Sequence, residues 1–252
     1  MIAKYLLPFF GGVPSVWSIA IFFFQLVLFL GYLYSHKLSF YPIARQKNIH
    51  IFLIALGLVL QISLSRSWPS PITPDVKAIQ GLGGLPEVSL LLLITIGAGY
   101  LFFILATTST LIQSWYVASI GASPYFLYRI SNFGSLLAVF SYPFLIEPNL
   151  KLITQGKLWF LGFIFFSLLL LLLVIKISPK KSKRRGQSYL DLRPESRSKA
   201  WLLLSVVPTF VMLSFTNHFT QGVSPVPFLW LLPLLLYLLS FILGFKEKLL
   251  GG

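Results

Sequence analysis

The chain has 252 residues, 56% of them hydrophobic and 10% charged, and a mean hydropathy of +0.84, which excludes an ordinary soluble domain. It has no cysteine, so disulfides, thiolate metal sites, iron-sulfur clusters, c-type haem and cysteine nucleophiles are excluded. The formal net charge of +14 is concentrated in one loop flanked by apolar segments, which points to a membrane surface and away from nucleic acid.

A hydrocarbon core of about 30 Å needs roughly 20 helical residues. Residues 1–14 form an apolar stub, broken by Pro8, Gly11, Gly12 and Pro14, that is too short to cross and lacks the basic start and cleavage site of a signal peptide. The first span runs from Ser15 to Tyr34, with Gln25 in its middle expected to hydrogen-bond a neighbouring helix. The second, Ile49 to Leu64, is short and has His50 near its start. His36 and His50 flank the first cytoplasmic loop, but their place at the membrane boundary disfavours a haem held between them.

The outer loop from Ser65 to Glu87 is rich in proline and holds Gly81, Gly83 and Gly84. It reads as an ordered or semi-ordered loop rather than a domain or a nucleotide-binding turn. Three further spans follow: Val88 to Thr107, Phe126 to Ile146 with Arg129 one turn inside, and Leu158 to Ile175. Residues 15–175 thus hold transmembrane helices one to five, and 176–200 are a basic loop. Residues 201–245 hold the last two helices, Trp201 to Phe219 and Phe228 to Phe245, and 246–252 are a short tail. The expected fold is an all-α polytopic membrane protein of about seven transmembrane helices.

An N-terminus outside and a C-terminus in the cytoplasm puts 15 of the 20 basic residues on the inner side, nine of them between Lys176 and Lys199. That is the asymmetry of a multi-pass protein of the bacterial cytoplasmic membrane. Lys180, Lys181, Lys183, Arg184 and Arg185 are the candidate docking residues, for anionic lipid or for an acidic partner.

Polar residues in hydrocarbon fall into two layers. At the outer face, Glu147 ends span four while Asn217 and His218 end span six; a carboxylate, an amide and an imidazole there can bind a cation or relay a proton, or simply cap and snorkel. Near the inner face lie Thr107, Thr108, Ser109 and Gln113 at the end of span three and Arg129 and Asn132 at the start of span four. Arg129 can receive a carboxylate, phosphate or lipid headgroup there, while the small polar residues knit helices together.

The six acidic residues, Asp75, Glu87, Glu147, Asp191, Glu195 and Glu247, lie in loops, the tail or one span end, so adjacent motifs assemble no acid and base pair and no enzyme activity is expected. Trp17, Trp68, Trp115, Trp159 and Trp201 read as interfacial anchors. The sequence implies no cofactor; its 24 phenylalanines suggest helices facing lipid, a quinone or pigment, or other integral membrane subunits.

The runs LLPFFGGVPSVW, FFFQLVLFLGYLYSH, ATTSTLIQSW, SPYFLYRISNFGSLLAVFSYPFLIEP and FTNHFTQGVSPVPFLWLLPLLLYLLSFIL together resemble the membrane domain of bacterial spermidine-synthase-like proteins, the fused major-facilitator/spermidine-synthase family. In that family another apolar helix usually precedes the segment matching Ile2 to Trp17, and an aminopropyltransferase-like domain often follows. The chain looks like the membrane part alone, with its first helix shortened to a stub and the catalytic domain absent or separately encoded. Thr110 stands where the family commonly has proline, so the helix there is expected to continue more regularly.

Three functions fit: an accessory or scaffold subunit of a larger membrane complex, a transporter or half-transporter, and the anchor of a separate aminopropyltransferase-like enzyme. The first is expected. Transport of a polyamine would need carboxylates, and Glu147 alone against a +14 background offers too few.

Overall fold

The computed structural model describes residues 1–10, 14–75, 85–121, 123–177, 203–204, 206–212, 214–215 and 227–244. Helix α1 is Ile2–Phe10, α2 Pro14–Ser39, α3 Ile43–Ser65, α4 Pro86–Ile120, α5 Tyr125–Asn149, α6 Leu152–Lys176 and α7 Pro227–Gly244. There is no β-strand among the described residues, only a bridge between Ser70 and Thr73. Helices α2 to α6 are each long and apolar enough to cross a membrane, and the protein is membrane-embedded and all-helical. Of the sixth expected span, the described residues between 203 and 215 are helical, and α7 covers most of the seventh.

The backbone forms two units. The first holds Met1–Ala122 and Asn149–Lys180, the second Ser123–Pro148 and Lys181–Gly252. In the first, α4 is the central helix. Its N-terminal half packs with α1 and α2 around Leu6, Phe23, Leu93 and Ile94, and its C-terminal half meets α3 and α6 around Ile54, Leu101, Ile104, Trp115 and Phe163. The stub is therefore a short helix with a buried face at Ile2 and Leu6.

Close approach of α3 and α4 depends on Gly57: a Cβ there would lie 2.5 Å from Cε1 of Tyr100. The Tyr100 ring lies across this gap and its hydroxyl donates to the Leu53 carbonyl at 2.8 Å, one turn earlier on α3. Small residues at such crossings bring helix backbones together where lipid supplies no hydrophobic drive.

Helix α4 corrects the expected boundary at Thr107. Its 35 residues span roughly 52 Å, well beyond a hydrocarbon core. Hydropathy falls after Thr107, but no backbone break follows until Gly121, which takes a left-handed φ of 77° and donates its N–H to Val117 O at 2.9 Å. The helix runs without interruption through Thr110. A π-helical segment, Thr95–Gly99, interrupts α4.

The loop between α3 and α4 is ordered where it is described. Ser70, Ile72, Thr73 and Pro74 are buried, with Ser70 Oγ 2.6 Å from Thr73 Oγ1. The loop lies on the π segment, where a Cβ on Gly97 would sit 3.0 Å from both Ile72 O and Pro74 Cδ. Gln61 joins them, its Nε2 donating to Gly97 O at 3.1 Å and to Pro71 O. A π turn frees backbone carbonyls from the helical ladder, and a side-chain amide can occupy one.

In the second unit α5 packs on α7, leaving an apolar groove of about 300 Å³ lined by Leu136, Leu137, Phe140, Leu232, Leu236 and Leu239. A second π segment, Tyr142–Ile146, lies near the end of α5.

Candidate functional site

One face of α3 carries Gln46, Lys47, His50, Ile54, Gly57 and Gln61, and all six are buried. Their spacing of three, four and seven residues makes one helical stripe. The stripe is polar because it faces other helices, while Phe52, Val59 and Leu60 face outward. In a membrane the apolar side chains are the ones that meet the surroundings, so the polar face turns in.

The N-terminal end of this stripe is a layer of paired polar groups. Gln46 is its hub, accepting from Trp115 Nε1 at 2.8 Å through Oε1 and donating through Nε2 to Tyr41 O at 2.7 Å. Lys47, also buried, places Nζ 3.0 Å from Val174 O and donates to Ile177 O as well. The ammonium thus occupies the carbonyl end of α6, where the helix dipole favours a cation.

His50 is 1% exposed, and its Nε2 lies 2.7 Å from Thr108 Oγ1. Thr108 Oγ1 also lies 2.7 Å from Ile104 O; with its hydroxyl proton directed to that carbonyl it accepts from His50, whose Nε2 then carries the ring proton. On α2, Ser35 donates to Thr107 O at 3.1 Å, and Thr110 Oγ1 lies 2.9 Å from Ser35 Oγ. Two side-chain atoms of this layer are buried with no partner: Tyr34 Oη and His50 Nδ1.

Of the expected inner layer, Thr107, Thr108 and Gln113 are buried here, but they lie within α4 rather than at its end. Ser109 is on the exposed side of the same helix. Arg129 and Asn132 belong to the second unit; Arg129 is exposed, and Asn132 donates to Tyr128 O of its own helix at 2.8 Å rather than to a neighbouring one. Of the outer layer, Glu147 is half-buried near the end of α5, while Asn217 and His218 lie outside the described residues. Lys180, Lys181, Lys183, Arg184 and Arg185 lie outside them too.

Three smaller expectations change. Gln25 is exposed on α2 and joins no buried polar layer. Trp115 is wholly buried and bonded to Gln46, so it is a core residue rather than an interfacial anchor. His36 is exposed with its ring against Phe40, while His50 is deep in the core, so the two do not frame a common pocket.

No protein-family model, curated protein or solved structure matches the chain. The chemistry must therefore be read from the site itself. Among the described residues no group of three or more His, Asp or Glu could hold a metal ion. Nearly every polar group in the layer is spent on another helix or on a backbone carbonyl. The layer clamps α2, α3, α4 and the end of α6 into one body.

Proposed function

We propose that this protein is a non-catalytic integral subunit that packs beside other subunits in a larger complex of the bacterial cytoplasmic membrane. In this reading it has about seven spans, its N-terminus outside, and belongs with the membrane part of the spermidine-synthase-like proteins whose sequence runs it resembles. The cytoplasmic placement draws support from Lys37, Arg45, Lys47 and Lys176, which cluster where the ends of α2 and α6 meet the start of α3.

The observation that carries the reading is α5. None of the residues along this 25-residue span is buried. Its exposed surface includes Ser131, Gly134, Ser135 and Ala138, interleaved with Phe126, Phe133 and Phe140. Ser131 and Ser135, like Gly134 and Ala138, are four apart, a spacing that lets another helix approach closely. Lipid gains nothing from small residues at these positions, whereas a partner helix does.

The first unit complements this. Among the described residues its buried polar groups hold its own helices together and form no run of charged groups along which a hydrophilic solute would travel. The test is extraction from native membranes in mild detergent, native gel separation and mass spectrometry of what migrates with the chain. Stoichiometric integral partners are expected. Migration alone, with uptake of a solute that Glu147→Gln abolishes in vesicles, would replace this reading with transport.

A further inference from the structure

We infer that Tyr34 and His50 form a binding site for one neutral hydroxyl group, which accepts from the tyrosine and donates to the histidine. The site does not depend on the subunit reading above.

Its chemistry follows from the proton positions. With Nε2–H donated to Thr108, His50 presents a bare lone pair at Nδ1, and that atom is buried without a partner. Tyr34 Oη is likewise buried without a partner and brings a proton to donate. The two rings are neighbours, their centroids 6.4 Å apart and their planes inclined by 34°. An unmet donor and an unmet acceptor on adjacent rings, each expensive in hydrocarbon, call for one group that satisfies both.

The surroundings select that group. Phe103 stands edge-on to Tyr34 at 5.5 Å and Trp115 edge-on to His50 at 6.3 Å, with the Trp115 N–H already given to Gln46. The nearby ammonium of Lys47 is held by Val174 and Ile177 carbonyls. A carboxylate or phosphate oxygen would set its lone pairs against that of His50. An ammonium would leave the Tyr34 proton without an acceptor. A hydroxyl is the smallest neutral group that accepts and donates at one atom. His50 lies seven residues into α3, roughly 10 Å along its axis from Ile43, so water can supply the hydroxyl from the near end and an amphiphile can supply it from the bilayer.

The test is nitrogen NMR of histidine-labelled protein in nanodiscs of native lipid, with His50 assigned through His50→Gln. The expected spectrum has the ring proton on Nε2 and Nδ1 at the position of a hydrogen-bonded acceptor, correlated with a proton that is not the protein's. In Tyr34→Phe, which removes a single oxygen, Nδ1 shifts toward the free-acceptor position. A proton on Nδ1, or an Nδ1 already free in the wild type, overturns the inference, and the wild-type spectrum decides this even if the variant does not fold. Mass spectrometry of an organic extract separates the sources. One hydroxylated amphiphile per chain, depleted in Tyr34→Phe, identifies the amphiphile; an unchanged Nδ1 position after delipidation identifies water.

Discussion

Lys47 of α3 reaches across to the last turn of α6, its ammonium 3.0 Å from the carbonyl oxygen of Val174. The contact joins residues 127 apart in sequence and supplies a charged donor to carbonyls that the end of a helix leaves unbonded. Replacing it by methionine keeps the length of the side chain and removes the donor. Lys47→Met is expected to cost about 1–3 kcal/mol, the penalty of stranding a buried acceptor, while Lys47→Arg keeps most of the stability. Unfolding midpoints in detergent check both.

Gln46 and Trp115 make one bond between α3 and α4, so their substitutions should not add. Gln46→Leu and Trp115→Phe each lose the bond, and the double variant loses it only once. The coupling expected from the cycle is about 1 kcal/mol, within the range of interhelical hydrogen bonds in membranes. Strict additivity in the same unfolding assay would mean that the 2.8 Å contact contributes nothing.

Gly57 and Tyr100 test the packing of the same two helices about three turns further along α3. Gly57→Val puts carbon where the Tyr100 ring lies and should destabilise by about 1–3 kcal/mol through overpacking. Tyr100→Ala should restore part of that loss in the double variant while destabilising the otherwise unchanged protein. Thermal aggregation in detergent, followed across the four proteins, resolves the two directions.

The helical, membrane-spanning character of the chain is legible in its sequence. Apolar length marks the spans because hydrocarbon thickness sets it: α5 begins and ends close to the expected residues, and α6 ends beside Ile175 but begins at Leu152, ahead of the expected Leu158. Thr107, Thr108 and Gln113 are polar within an apolar run, and all three are buried. The α3 stripe is harder to read from sequence: Gln46, His50, Gly57 and Gln61 share a face, yet Gln46 and Lys47 precede the apolar stretch and so fall outside a span defined by hydropathy. Trp115 is ambiguous for a related reason, because tryptophan is common at interfaces and only its burial and its bond to Gln46 show that this one is internal. Gln25 shows the reverse, a polar residue that periodicity alone could not place inward or outward.

Tyr5 gives a pH prediction. Its hydroxyl donates to Pro74 O at 3.0 Å, and burial, then the negative charge of Asp75, raises its pKa above the usual tyrosine value. The folded state thus favours the neutral phenol, and the stability it contributes is complete below the unfolded pKa of about 10 and is lost as pH rises through the higher folded value. Asp75→Asn removes the smaller cause, so the phenol should ionise at lower pH than in the wild type while staying above the usual value. Phenolate absorbance, taken as the difference from Tyr5→Phe, follows this titration; a Tyr5 signal unmoved by Asp75→Asn would deny the carboxylate its influence.

The small residues of α5 give the sharpest test of the subunit reading. Gly134 is exposed, and a Cβ there meets nothing within 4 Å, so a larger side chain is harmless to the chain itself. If a partner helix approaches this surface, a leucine holds the two backbones apart and forfeits the close contact. Gly134→Leu is therefore expected to leave the amount and melting of the isolated chain unchanged and to reduce co-migrating partner about tenfold, the equivalent of roughly 1.4 kcal/mol at one crossing. Gly134→Ala, one methyl larger, should lose less. If leucine leaves co-migration intact, α5 faces lipid and any complex must form through another surface.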